Sequence, residues 1–176
     1  MHSQHRSDCP ISLTLETLGD KWSLLIIRDL MFSDRRCFRQ FLSQSEEGIV
    51  SNTLADRLKR LVDMKIIVRT DDPTHKQKGI YSLTEKAILL VPLLAAIGIW
   101  SSRNLSLGKK QGMRMAVLER GGAKMCRRIM QELRECHLRI PPRPGRVPLV
   151  VYNWHKTADA AILRKRKRLK RAVNGR

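Results

Sequence analysis

Leu54, Leu58, Leu61 and Val62 recur at i, i+4, i+7 and i+8, and this spacing constrains the chain more than any other feature. It puts four apolar side chains on one stripe of a helix and leaves Asn52, Thr53, Asp56, Arg57, Lys59 and Arg60 on the other side. Such a helix lays its stripe on a core and turns its polar side outward. Ser51 stands just ahead of it, a good N-cap residue. Ahead of that, Phe38, Phe41 and Leu42 lie at i, i+3 and i+4, the face of a short helix ending near Gly48.

Two further helices come first. Ile11, Leu13, Leu15 and Leu18 mark one that stops at Gly19, a residue typical of helix ends. Asp20 then caps a segment so densely apolar, from Trp22 to Met31, that it belongs in the middle of the core. Asp34, Arg35 and Arg36 make a polar turn after it. Downstream of the amphipathic helix, Ile66–Arg69 and Ile80–Leu83 are short β-prone runs separated by the polar stretch Thr70–Gly79, which predicts a hairpin with a long tip. Thr84 can cap the next helix, which carries Ile88 to Trp100, fades at Gly108 and is bent or interrupted at Pro92.

Charge divides the chain at this point. The formal net charge of +19 over 176 residues and a pI near 10.8 direct attention to a polyanionic partner, nucleic acid first and an anionic membrane surface second. Up to Leu107 the sequence holds 15 Lys/Arg against 12 Asp/Glu, and from Gly108 onward 20 against 4. The basic part begins with a helical face, Met113, Ala116 and Val117, is interrupted by Gly121 and Gly122, and resumes with Met125, Ile129, Leu133 and Cys136. Pro141, Pro142, Pro144, Gly145 and Pro148 form a linker. Thr157–Val173 is a helix candidate ending in the basic run Arg164–Arg171. The expected segments are therefore 9–107, 108–140 and 141–176.

Two helices joined by a tight turn and followed by a hairpin are the order of elements in a winged helix-turn-helix. The first turns of the second helix then reach base edges in the major groove, where Asn and Arg make bidentate hydrogen bonds. Ser51, Asn52, Thr53, Asp56 and Arg57 occupy those turns. Lys59 and Arg60, one turn later, are placed for phosphate, and His75, Lys76 and Lys78 in the hairpin for the minor groove or backbone. Periodicity alone leaves a second reading open, an ordinary solvated surface helix.

Resemblance weighs on that choice. Cys9-Pro10-Ile11, the run Leu18–Leu30, Phe38–Leu42 with Gly48-Ile49, the segment SNTLADRLKR at Ser51–Arg60, Tyr81–Thr84 and Trp100 together resemble the HxlR-type family of bacterial winged helix-turn-helix regulators, over about residues 9–105. The resemblance implies a mostly α (α+β) fold: a winged helix-turn-helix with a two-stranded wing and a long C-terminal dimerisation helix, here followed by a basic helical extension. It implies a homodimer that holds Ile11, Leu15, Leu94, Ile97 and Trp100 at its interface. Such a dimer binds a pseudo-palindromic operator in double-stranded DNA as a transcriptional regulator, more in the manner of a repressor than an activator. The alternative is a non-specific or architectural nucleic-acid-binding protein dominated by the basic tail. The wing tip Asp71–Gly79 lacks the Pro-Pro-Arg-Val of many relatives, so lysines would have to replace a minor-groove arginine. Ala87 stands where a glycine is common.

Some relatives sense oxidants or electrophiles through a cysteine at the start of the first helix, and Cys9 occupies that position; the other reading is a small packing residue. Cys37, Cys126 and Cys136 are expected to fill the core, with no disulfide. His2, His5 and Cys9, or Cys136-His137, lack a recognisable ligand spacing, so no metal and no cofactor is expected. With no glycine-rich phosphate loop, nucleophile elbow or carboxylate pair, an enzyme is not expected either. Met1–Asp8 carries no apolar stretch, and Ala87–Trp100 falls short of the about 20 residues that span a bilayer. The expected location is the cytoplasm, away from the membrane.

Overall fold

Each of the first helices begins where a local acceptor or ring makes it begin. In this computed structural model, which describes residues 7–72 and 75–140 apart from the side chains of residues 72, 75–78 and 110, helix α1 spans Pro10–Leu18 with proline in its first turn. The amide that proline lacks would have had no helical partner there. Helix α2 spans Lys21–Phe32. The Asp20 carboxylate accepts from the amides of Trp22 and Ser23 at 3.1 and 3.0 Å and from the Ser23 hydroxyl at 2.5 Å, which satisfies donors that a helix start leaves open. Its inner side chains Ile26, Ile27, Leu30 and Met31 are buried, as the density of apolar residues requires.

Helix α3, Phe38–Gln44, opens with a capping box in which the Gln40 side chain accepts from the Cys37 amide at 2.9 Å. The turn after it passes through Gly48 at φ +66°, a left-handed conformation that costs a glycine nothing. Helix α4 follows, Ser51–Asp63. Val50, rather than Ser51, takes the cap position: its backbone is extended, no side chain caps the helix, and Ser51 is already its first residue. Leu54, Leu58 and Leu61 are at most 2% exposed, so the stripe faces inward.

Strands β1, Ile67–Asp72, and β2, His75–Leu83, pair antiparallel in the register Ile67↔Leu83, Arg69↔Tyr81 and Asp71↔Gly79. The ladder continues to Asp72↔His75 across an irregularity at Asp71/Asp72. The arms are therefore longer and the tip shorter than the residue types suggest. Main-chain pairing needs no apolar side chains, and a solvated hairpin end keeps its ladder with polar ones. Cys37 adds an isolated bridge to Ile80, and the Tyr81 amide donates to the Arg36 carbonyl at 2.8 Å. The start of α3 is thereby stitched to the hairpin.

The Thr84 hydroxyl lies 2.9 Å from both the Lys65 and the Ile66 carbonyl oxygens and accepts from the Ala87 amide at 3.4 Å. It caps the short helix α5, Glu85–Ile88. A turn at Leu89–Leu90 separates α5 from α6, Val91–Asn104, whose first turn contains Pro92. The proline thus starts a helix instead of bending one. Helix α7, Lys109–His137, packs along α6 and breaks at Gly122, where φ is +50° and ψ −145°. The interruption expected at Gly121-Gly122 is this kink.

The chain divides into two compact units, Met1–Ala87 and Ile88–Arg176. The first holds the core between α2, α4 and the hairpin; in the second, the described part is α6 with α7. The Pro-rich linker, the run Leu149–Trp154, the helix candidate Thr157–Val173 with its basic run, and His2 and His5 lie outside the described residues. Of the cysteines expected in the core, Cys126 is buried and Cys37 half-buried, but Cys136 is exposed. Cys136 falls on the outer side of α7, where the small thiol meets water at little cost.

Candidate nucleic-acid interface

The outward side of α4 is polar because its inward side is apolar, and the two are held apart by the helical period. Ser51, Asn52, Ala55, Asp56, Lys59 and Arg60 are exposed, while Thr53 and Arg57 sit half-buried at the margin. The helix is placed by three sets of partners: α2 beneath it, α3 before it and β1 after it.

Two of its cations are engaged by the protein. Arg57 leans toward α2 and pairs Nε to Asp20 Oδ1 at 3.0 Å, with 30% of its side chain exposed. Asp20 therefore caps α2 and anchors α4 at once. Partial burial raises its pKa, but the hydroxyl and amide of Ser23, then the Arg57 charge, outweigh burial and hold the carboxyl below its ordinary range. Arg60 donates from Nη2 to the Glu16 carbonyl of α1. Lys59, by contrast, stands on the open side with Asn52 and Asp56.

The turn that sets the angle between α3 and α4 is clamped from α2. Arg28 donates to both carboxylate oxygens of Glu47, at 2.5 and 3.0 Å, and to Asp29 at 2.7 and 2.9 Å. Arg35 closes on the other oxygen of Asp29 at 2.7 Å. The Asp29 side chain is 4% exposed, a buried carboxylate satisfied by two guanidinium groups. Residue spacing does not reveal this clamp, since Arg28 and Glu47 are 19 positions apart. The charge alternation Arg28-Asp29 was the only signal.

On the hairpin, His75, Lys76 and Lys78 fall on β2, with side chains outside the described residues. Arg69 is exposed on β1, on the sheet face it shares with Tyr81. Of the residues expected at a dimer interface, Ile11 and Leu15 on α1 are 71% and 61% exposed, Ile97 and Trp100 on α6 are 43% and 59% exposed, and Leu94 is half-buried. Cys9 stands exposed at the cap of α1. Its side chain makes no capping hydrogen bond of full geometry, yet the Ser12 and Ile11 amides lie close enough to lower the thiol's pKa.

The segment Glu85–Asn104 has the length, 20 residues, and the mean hydropathy, 1.5, of a membrane-crossing helix, more than the run Ala87–Trp100 suggests. It is nevertheless two helices divided at Leu89–Leu90, and α7 packs along the second.

Residues 17–109 match the family described as HxlR-like helix-turn-helix. The chain is 30% identical over 104 residues to a Fusobacterium mortiferum protein described as regulatory and named MalR, covering 59% of this chain and 97% of that one. It is 32% identical over 96 residues to the HTH-type transcriptional regulator YodB of Bacillus subtilis (strain 168), covering 54% and 84%. A solved structure described as a transcription factor, PA1607, superposes with a TM-score of 0.53 at 31% identity, over 61% of this chain and 72% of that one.

Proposed function

This chain belongs to the HxlR-like helix-turn-helix family, and from that premise we propose that it is a sequence-specific, homodimeric transcriptional regulator of the cytoplasm. It acts on a pseudo-palindromic operator, in the first instance as a repressor. The observation that carries this reading is α4: its leucine stripe is sealed against the core while Ser51, Asn52 and Asp56 face outward on its first turns. Those are the turns that reach base edges.

Asn52 and Asp56 are assigned to base readout and Lys59 to phosphate. Arg57, tied to Asp20, orients the helix and presents its remaining donors at the margin. The α1 and α6 apolar side chains Ile11, Leu15, Leu94, Ile97 and Trp100 supply the dimer surface. A dyad through it sets two α4 helices into successive major grooves about 34 Å apart. The basic residues after Gly108 add affinity that ignores sequence.

The test is competition. Protein bound to its own upstream region should resist random DNA and yield to that fragment's cognate copy, with the bound species a dimer of the chain. Equal displacement by both would sink the regulator reading and favour an architectural protein driven by the tail.

A second reading concerns Cys9. Exposure together with a lowered thiol pKa makes it suited to oxidation, and a disulfide or sulfenic acid there would disturb the α1 part of the dimer surface. Diamide should release operator from the wild type and not from Cys9→Ser; equal release from both removes Cys9 from the response.

A further inference from the structure

Helix α4, the start of α3 and the hairpin border an open cleft of about 480 Å³. Its floor is apolar. Leu58 is 2% exposed and Tyr81 9%, flanked by the half-buried Phe38 and Val62. Phe41 meets the Tyr81 ring edge-on with centroids 6.2 Å apart, which holds that part of the floor still.

The rim carries charge from two elements. Lys59 comes from α4, Arg69 from β1, and Asp63 is the single carboxylate of the lining. Arg69 passes over Gly79 on the paired strand, where a Cβ would come within 2.3 Å of its Nε. Glycine at that position leaves room for the guanidinium beside the cleft. Asp71 lies 3.6 Å from Arg69, but both side chains are more than half exposed, and a pair so screened by solvent does little to hold the guanidinium.

We propose that this cleft binds a small aromatic monocarboxylate, its ring on the Phe38–Leu58–Val62–Tyr81 floor and its carboxylate answered by Lys59 and Arg69. The volume falls in the range of small-molecule sites, which are mainly apolar with a few orienting polar groups. Two cations against one carboxylate leave one net positive charge on the rim, so a monoanion balances it and a dianion leaves an excess of negative charge. A bare phosphate would meet the cations and leave the apolar floor uncovered.

The consequence for regulation rests on the DNA-binding reading above. Lys59 belongs both to this rim and to the outward side of α4, so a bound carboxylate places negative charge at the DNA face. Ligand and operator then weaken each other by the same factor.

Calorimetric titration of the full chain with 2-naphthoate tests the site, with 2-naphthylmethanol and inorganic phosphate as comparators. The expected result is saturable uptake of one 2-naphthoate per chain, with the neutral alcohol and phosphate each weaker by about tenfold or more. Arg69→Gln and Lys59→Gln should each weaken it about fivefold or more, and Ala55→Phe, which fills the cleft from α4, should abolish it. If Ala55→Phe does not fold, the two surface glutamine variants decide the matter. No saturable uptake, or uptake unchanged in both glutamine variants, overturns the proposal. Phosphate binding as well as 2-naphthoate also overturns it and makes the cleft a seat for the DNA backbone. In a parallel arm, 2-naphthoate should lower operator affinity of the wild type; uptake without that effect refutes the coupling. Uptake in a protein that shows no operator preference leaves the cleft standing and the regulator reading fallen. Operator binding without uptake does the reverse.

Discussion

Arg57 and Arg60 carry the most conspicuous charges of α4, yet both turn back to the protein, one to Asp20 and one to the Glu16 carbonyl. Asn52, Asp56 and Lys59 are left to face a partner. Asn52→Ala should therefore lower the preference for operator over random DNA by about 1–3 kcal/mol. Lys59→Ala should weaken both alike and reduce the salt slope by about 0.9; quantitative binding at several salt concentrations separates the two. Arg57→Ala should cost less than about 1 kcal/mol of folding stability, because its pair with Asp20 is partly solvated. The Arg28 clamp is pH-sensitive in a defined direction. The Arg28 hydrogen bond, against a smaller opposing effect of burial, draws Glu47 down from 4.5 to about 2. A carboxylate depressed in the folded state contributes stability above its unfolded pKa and loses it as pH falls through the folded one. Urea midpoints should thus drop between about pH 4.5 and pH 2, and Glu47→Gln should flatten that drop; an unchanged profile would remove Glu47 from the clamp.

Helices α3 and α4 owe their mutual angle to the turn at Gly48, and α7 owes its shape to Gly122. Both glycines have positive φ and open space where a Cβ would go, so substitution there reports backbone conformation alone. Gly48→Ala should cost about 1–2 kcal/mol, read as a lower melting temperature with operator preference falling alongside. Gly122→Ala should cost about 1–3 kcal/mol and leave α4 intact. Element identities were legible because periodicity and caps are local: Asp20, Pro10, Thr84 and the Leu54–Leu61 stripe all act within a few residues. Less legible were the hairpin arms beyond Arg69, where main-chain pairing holds polar residues in strands. The break at Leu89–Leu90 was equally hidden, since Pro92 fits a kink and a helix start alike.

As a whole the chain joins a nearly neutral region to a strongly basic one, and the two should be separable by salt. Removing residues 141–176 should weaken binding to every DNA sequence to a similar extent and flatten the dependence on salt, while operator preference persists. A selective loss for operator would instead give the tail a part in sequence readout. Ile97→Asp together with Trp100→Asp should convert a dimer to a monomer in sedimentation at micromolar concentration, since each buries a charge in the proposed interface. A dimer that survives both would place the interface elsewhere.

Residue order alone was enough to specify the succession of the first four helices and the hairpin and the inward sides of α2 and α4, because those follow from interactions between near neighbours in the chain. It also carried the family resemblance and the polar side of α4. Which cations face outward, and which return to Asp20 or Glu16, depended on groups 37 and 44 positions away being brought alongside. The cleft under Lys59 and Arg69 likewise exists only where α3, α4 and the hairpin converge. Packing creates such neighbours, and no local period encodes them.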